Sequence, residues 1–456
     1  MIQRLVISLI HIITNTFFRR IDVVGMEHVP ADGPVIFAGN HPNAFMDGWL
    51  ITSTCGRWPL HFMANAKLWK YRSLVPLLNA MGAVPVFRHE EHVGKVDNSK
   101  AFEKLYEVIE SGNCMGIFPE GVSHAEAQMA KLKTGAARIA LEVGARGDAQ
   151  VPIIVCGLNY IHRHRFRSQV YIEYGEPIDV GDQWVEEYNT DKEAAVRKLT
   201  EQMTTALGNV TLNAPDWRTL RFIQTARRLY KPRTADLSPR QYVRLSRRFV
   251  DSYLQEIENP EMQALRDDVE NYQSRLDMLG LKDYQLRSNM TPGQAIRKML
   301  TRSLKMLLLL PLAIPGALLH LPVGWIAALV GERFSYEMDD VATLKVLSTI
   351  LLLPVIYIAV AATVGVRYGW LWSLLAIGAL AWSFFMSIRL IEAQASLLNS
   401  VLSLFRLTRL GDDVKDLRAT RAGLVESVRE LAERFSDPRQ SRLFTQRDFG
   451  TGNSGE

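Results

Sequence analysis

From Ser303 to Ile391 the chain is dominated by Leu, Ala, Ile, Val and Trp, whereas the stretch from about Arg20 to Leu300 mixes charged and apolar residues as a water-facing domain does. No other feature constrains the fold as strongly. A bilayer core offers no water to the backbone, so a segment crossing it must satisfy its own hydrogen bonds as a helix. About 20 apolar residues are needed for that. Val346 to Val366 and Gly369 to Ile388 each meet the requirement and are joined through Arg367 and Tyr368, which predicts a helical hairpin over 346–388. Lys345 before it and Arg389, Arg406 and Arg409 after it put both ends on the positive, cytoplasmic side. Leu304 to Val330 is interrupted by Pro311, Pro315 and Pro322 and carries His320. Proline removes a helix hydrogen bond, so a broken or re-entrant element over 304–330 is expected.

The rest of the chain divides around this membrane region, 301–391. Met1 to Phe18 has an apolar run like that of a signal sequence, but Phe17, Phe18, Arg19 and Arg20 stand where small residues would be needed for cleavage. It is also short for a span, and an uncleaved interfacial helix over 1–20 is expected. Over 21–181 short apolar runs alternate with helical patterns. Val35 to Ala38, Met115 to Phe118, Val151 to Val155 and Val170 to Tyr174 read as strands, and Ala101 to Glu110 and Thr134 to Val143 as helices. This alternation predicts an α/β domain with a mixed, partly parallel sheet. Helical periodicity takes over in 182–300, with helices expected over Lys192 to Leu207, Arg218 to Tyr230, Pro239 to Glu256 and Pro260 to Leu279. The remainder, 392–456, reads as a charged helical tail with a disordered end after Ser436.

The net charge of +5 is too mild for nucleic acid and suits a protein lying on anionic phospholipid. Between Arg218 and Arg248 the basic residues face only Asp236, so Arg227, Arg228, Lys231 and Arg233 are read either as headgroup contacts or as a solvated helical face. Cys55, Cys114 and Cys156 form no C-x-x-C pair. Neither a disulfide framework nor a zinc site is indicated, and a reducing setting follows.

The chemistry lies just past the first apolar strand. Val35 to Ala38 runs into Gly39, Asn40 and His41, and Asp47 follows with five residues between. An imidazole titrating near working pH can take a hydroxyl proton, and a carboxylate on its other nitrogen can orient the ring and stabilise the imidazolium. The pair alone is weak evidence. Downstream, however, stand Gly82 to Arg88 (GAVPVFR), Phe118 to His124 (FPEGVSH) and Val151-Pro152-Ile153.

These four ordered blocks resemble the glycerophospholipid acyltransferase family, whose signature is N-H followed by an acid, G-x-x-x-[IV]-x-R, F-P-E-G-x-[ST] and V-P-[IV]. The likeness runs from about Val24 to Pro177 and includes Gly25 to Pro30 and the Lys133-Thr134-Gly135 stretch. It implies that His41 is the catalytic base and Asp47 its partner, with Arg88, Glu120 and Gly121 at the glycerol-phosphate site. Arg88 offers a planar fork for phosphate, Gly121 lets backbone amides approach an anion, and Ser123 and Lys133 are further candidates. Glu120 would repel a phosphate, so orienting Arg88 or a substrate hydroxyl suits it better.

The family's usual spacing is four residues between His and Asp. The five found here are similar to a subgroup resembling fungal-type glycerol-3-phosphate and dihydroxyacetone-phosphate acyltransferases. The resemblance therefore implies acyl transfer to glycerol 3-phosphate or dihydroxyacetone phosphate from acyl-CoA or acyl carrier protein, on a phospholipid membrane, with no cofactor and no metal. Two alternatives stay open: acylation of lysophosphatidate or another lysophospholipid, and a non-catalytic lipid-binding protein. A hydrolase is disfavoured because no G-x-S-x-G elbow accompanies the histidine.

Overall fold

The computed structural model describes residues 2–72, 75–87, 98–147, 150–232, 235–287, 292–335, 337–409, 411–435 and 444. The chain divides into two units. One comprises Met1–Trp217 with Leu237–Val243 and Ser335–Thr343, and the other Arg218–Asp236, Arg244–Phe334 and Leu344–Glu456.

In the first unit, helix α1 (Ile2–Phe17) runs directly into β1 (Phe18–Val24). There follow β2 (Val35–Gly39), α2 (Ala44–Thr54), β3 (Leu60–Asn65), α3 (Val75–Ala80), β4 (Val84–Val86), α4 (Ser99–Glu110) and β5 (Cys114–Ile117). The unit continues with α5 (Gly135–Arg146), β6 (Ile153–Tyr160), β7 (Ser168–Tyr174), α6 (Asp182–Thr190) and α7 (Lys192–Val210). The strands form one sheet in the order β1-β7-β6-β2-β5-β3-β4. Every pairing is parallel except β6 with β7.

Strand β2 lies at the centre of this sheet, and all its residues are buried, as expected of a parallel strand covered on both faces. Ile36 and Ala38 face a core shared with Leu105, Ile109, Ile139 and Leu199. Phe37 points to the other face, edge-on to Tyr174. On α1, Ile10, Thr14 and Phe17 are buried, whereas Leu5 and Ile12 are exposed.

Gly157 shows how tightly β6 is covered. A Cβ there would lie 2.0 Å from the carbonyl oxygen of Val210, at the end of α7. Asn159 secures the same approach, its amide donating to Val210 O (2.9 Å) and accepting from Leu212 N–H (2.8 Å).

The second unit is helical. It holds most of α8 (Trp217–Tyr230) and α9 (Pro239–Gln255), then α10 (Pro260–Met278), α11 (Asp283–Arg287), α12 (Pro292–Arg333), α13 (Asp340–Tyr368) from Leu344 on, α14 (Trp370–Arg409) and α15 (Gly411–Arg434). Helices α10 and α15 pack together, and a buried Arg421 to Asp283 pair (2.8 Å), with Tyr272 also donating to Asp283 (2.9 Å), ties α15 to α11. Among the described residues three segments are long and apolar enough to cross a membrane: Met299–Arg333, Asp340–Tyr368 and Trp370–Gln394. They mark a membrane protein.

Two expectations change here. The stretch 304–330 is not broken; it lies within the single 42-residue helix α12 despite three internal prolines. The reason is hydroxyl insertion from α14. Ser383 Oγ accepts from Gly316 N–H (2.7 Å) and donates to Leu312 O (2.9 Å), bonding both members of the i to i−4 pair beside Pro315. Ser387 donates to Ala313 O (3.1 Å). Neighbouring hydroxyls re-satisfy a proline-disturbed backbone in this way, so the helix continues. Arg227 and Arg228 of α8 are likewise not headgroup contacts. Arg227 is buried and donates to Ser246 (3.0 Å), while Arg228 bonds Thr225 (2.7 Å) and Gln273 (3.0 Å). Arg233 and the expected disordered end, apart from Phe444, lie outside the described residues.

Because the space over Gly157 is taken by backbone, Gly157→Ala is expected to cost about 1–3 kcal/mol, as overpacking does. Thermal denaturation followed by circular dichroism should show a lower midpoint than wild type.

Candidate functional site

The topology brings the blocks to one edge of the sheet. Strands β2 and β5 are parallel neighbours, so His41, just beyond β2, and Phe118-Pro119-Glu120, just beyond β5, emerge side by side. Strand β6 is the other parallel neighbour of β2 and carries Tyr160 at that same end. This is the carboxyl end of the parallel strands, where α/β sheets place their ligand sites. Asn40 fixes the exit of β2, donating to Leu158 O (3.1 Å) and accepting from Leu158 N–H (2.7 Å).

His41 Nδ1 lies 2.9 Å from Asp47 Oδ2. Asp47 is fully buried, and its carboxylate also accepts from Asn43 N–H (2.7 Å) and from the Tyr160 hydroxyl (2.5 Å). Because that oxygen already serves as an acceptor, Nδ1 carries the imidazole proton and Nε2 keeps its lone pair. The ring stacks on Phe118 with centroids 4.0 Å apart, and Phe118 stacks in turn on Phe62. Burial pushes the Asp47 carboxyl above its usual range, while His41, Tyr160 and the Asn43 amide pull it back. Burial and the adjacent Asp47 hold the Tyr160 hydroxyl well above the ordinary phenol range, so it remains a donor.

The five-residue spacing is taken up between Asn43 (φ −151°, ψ 44°) and Ala44, whose φ of 40° is unusual for a residue with a side chain. Asp47 then falls in the first turn of α2 and reaches back to Asn43 N–H, satisfying a helix-end donor. Arg163 braces this loop. Its guanidinium donates to Pro42 O and His124 O (both 3.2 Å) and lies over the Trp217 ring, and its carbonyl accepts from the Asn43 amide (3.0 Å).

His41 opens on a cavity of about 1000 Å³. Trp49, Phe62, Leu78 and Phe102 are among its apolar walls. Gly121, Ser123, Lys133 and Arg138 line it as well. Gly121 has φ 78°, and a Cβ there would meet Lys133 Cδ at 2.7 Å, so the lysine chain lies directly over it. Lys133 N–H donates to Pro119 O (2.6 Å), which folds the 131–134 stretch back onto the Phe118 block.

His41, Gly121, Ser123 and Lys133 are therefore brought together around one space. Glu120 is the exception among the expected substrate contacts. It is 3% exposed, and its carboxylate accepts from His41 N–H (2.7 Å) and Ala130 N–H (2.7 Å) and bonds His124 Nε2. Its oxygens are engaged by the protein, and it holds the His41 loop against the loop after β5. Arg88 lies outside the described residues. Tyr160, Arg163 and Asp340, another residue lining the cavity, were not singled out in the sequence. Among the described residues no three His, Cys, Asp or Glu side chains converge as a metal site.

Two family models match the chain: "Acyltransferase" over residues 20–159 and "Glycerol-3-phosphate acyltransferase 2 C-terminal domain" over residues 222–440. The chain belongs to the acyltransferase family. It is 34% identical over 284 residues to glycerol-3-phosphate O-acyltransferase 2 of Saccharomyces cerevisiae, covering 59% of this chain and 38% of that protein. Glycerol-3-phosphate O-acyltransferase 1 of the same yeast is 30% identical over 261 residues, covering 56% of this chain and 34% of that protein. The chain thus spans less than half the length of these two yeast relatives. A crystal structure of the 1-acyl-sn-glycerophosphate acyltransferase PlsC from Thermotoga maritima is similar at 20% identity and a TM-score of 0.32, over 44% of this chain and 81% of that one.

Tyr160→Phe removes one of three donors from a carboxylate that burial already disfavours. The neutral acid gains further, so the carboxyl titrates at higher pH than in wild type. Since the charged carboxylate is the form that supports His41, the acid limb of the activity profile is expected to move to higher pH. Activity on the alkaline side should be retained. The pH dependence of kcat/KM in the variant checks this.

Proposed function

We propose that this protein transfers a fatty acyl group from acyl-CoA or acyl carrier protein to a hydroxyl of glycerol 3-phosphate or dihydroxyacetone phosphate, at a phospholipid membrane. The observation that carries the reading is the His41–Asp47 pair, with a buried carboxylate, opening on a cavity that combines apolar walls with Lys133 and Arg138. The similarity to two yeast proteins named glycerol-3-phosphate O-acyltransferases favours this acceptor over a lysophospholipid.

In this mechanism His41 Nε2 takes the proton of the acceptor hydroxyl as its oxygen attacks the thioester carbonyl. The new C–O bond forms, the C–S bond breaks, and the imidazolium returns its proton to the departing thiolate. Asp47 orients the ring and stabilises the imidazolium without itself accepting the proton. Gly121, Ser123 and Lys133, with Arg88, hold the phosphate, and the apolar walls take the start of the acyl chain. No serine or cysteine nucleophile is required. The exposed Leu5 and Ile12 of α1 suit a helix lying at the bilayer interface, and the charge bias around 346–388 supports a catalytic unit on the cytoplasmic side.

The test uses purified protein in lipid vesicles with radiolabelled palmitoyl-CoA, offered glycerol 3-phosphate or lysophosphatidate, with His41→Ala as control. Label is expected in lysophosphatidate from the first acceptor. His41→Ala should lower turnover by about a hundredfold to ten-thousandfold, the range of a positioned base, while remaining folded. Transfer only to lysophosphatidate would make the protein a second-step enzyme. No transfer above the control from either palmitoyl-CoA or palmitoyl acyl carrier protein would remove the enzymatic reading.

A further inference from the structure

The cavity that holds His41 has a wall supplied from far along the chain. Asp340, the first residue of α13, lines it together with His41 and belongs to the Ser335–Thr343 segment of the catalytic unit. It lies outside the four sequence blocks and between two apolar helices. Its side chain is half-buried, and among the described residues no protein donor reaches its carboxylate.

An acid in the first turn of a helix is favoured by the helix dipole, which accounts for a negative residue at this position. It does not account for the placement of that residue in the reaction cavity. A carboxylate repels a phosphate, so its useful place is at the hydroxyl end of the acceptor, with Arg138 of the same cavity on the phosphate side. Glycerol 3-phosphate brings two hydroxyls: the one that gives its proton to His41, and a neighbour on the adjacent carbon. A half-buried carboxylate without a protein donor is suited to accept from that neighbour.

We propose that Asp340 is a specificity-determining residue, accepting a hydrogen bond from the second hydroxyl of a vicinal-diol phosphate and so selecting it over acceptors with no donor at that carbon. This rests on the acyl-transfer reading above. A ketone at that carbon, as in dihydroxyacetone phosphate, presents lone pairs to the carboxylate and leaves it unsatisfied. An ester at the neighbouring position, as in lysophosphatidate, does the same. Sites built to bond a substrate hydroxyl reject analogues lacking it for this reason.

The experiment compares wild type, Asp340→Asn and Asp340→Ala, full-length and in lipid vesicles, by kcat/KM for glycerol 3-phosphate and for dihydroxyacetone phosphate with palmitoyl-CoA. Wild type is expected to favour the diol. In both variants the diol-to-ketone ratio should fall about 10- to 100-fold, the range of one hydrogen bond to a charged group. A ratio unchanged from wild type, with both acceptors weakened equally, would assign Asp340 to His41 or to folding and overturn the proposal. A wild type without preference for the diol would overturn it too. Transfer to glycerol 3-phosphate with an unchanged ratio defeats this inference alone, whereas a wild type acylating neither small acceptor defeats it together with the function it rests on.

Discussion

A carboxylate sealed from water must receive all its hydrogen bonds from the protein, and Asp47 receives them from three places: the His41 ring, the Asn43 amide and the Tyr160 hydroxyl. An unpaired charge at that depth would cost several kcal/mol, so the three donors are a condition of the fold as well as of the chemistry. Each fixes a different element. His41 lies in the loop leaving β2, Asn43 immediately precedes α2, and Tyr160 terminates β6. The Asp47 carboxylate thus joins the central strand, the helix behind it and the neighbouring strand at one point, and the orientation of the His41 ring follows. Glu120 performs a parallel task on the other flank, binding the His41 amide to the loop after β5.

How far the sequence disclosed this depends on whether the signal was local. The β2 strand, the His41–Asp47 pair and the FPEG block were legible because each is a short run whose residues act together. The strands Val35–Gly39 and Cys114–Ile117 fall within a residue or so of where apolar patterning put them. Tyr160 gave no such signal. It sits at the end of a buried strand, and only the parallel pairing of β6 with β2 brings its hydroxyl to Asp47. Arg163 looked like one more basic residue in the HRHRFR run, yet it braces two loops through their carbonyls. Asp340 was hidden by its setting between apolar helices.

The error over 304–330 has the same origin. Proline spacing was read as a local veto on helix, which holds for an isolated segment in water. Here Ser383 and Ser387, contributed by α14, supply hydroxyls to the disturbed backbone of α12. Arg227 and Arg228 erred in the opposite direction: read as surface charge, they are consumed within the helical unit by Ser246, Thr225 and Gln273. In each case the partner lies well outside any window over which periodicity or charge runs can be judged.

The spacing of five residues between His41 and Asp47 raised the question of whether the pair could still meet. One added residue shifts Asp47 by about 100° around α2, enough to turn a carboxylate away from the ring if the helix began at the same point. The chain resolves this before the helix starts, by placing Ala44 at φ 40°. A left-handed residue with a side chain costs about 1–3 kcal/mol and persists only where its surroundings over-determine it. Those surroundings are present: Met46 N–H bonds Asn43 O (3.0 Å), Asn43 N–H bonds Asp47, and the Asn43 amide bonds Arg163 O. The contacts that hold the strained turn are thus largely the contacts that hold the dyad. A change in spacing that would have separated base from carboxylate is absorbed by the same buried carboxylate it displaced.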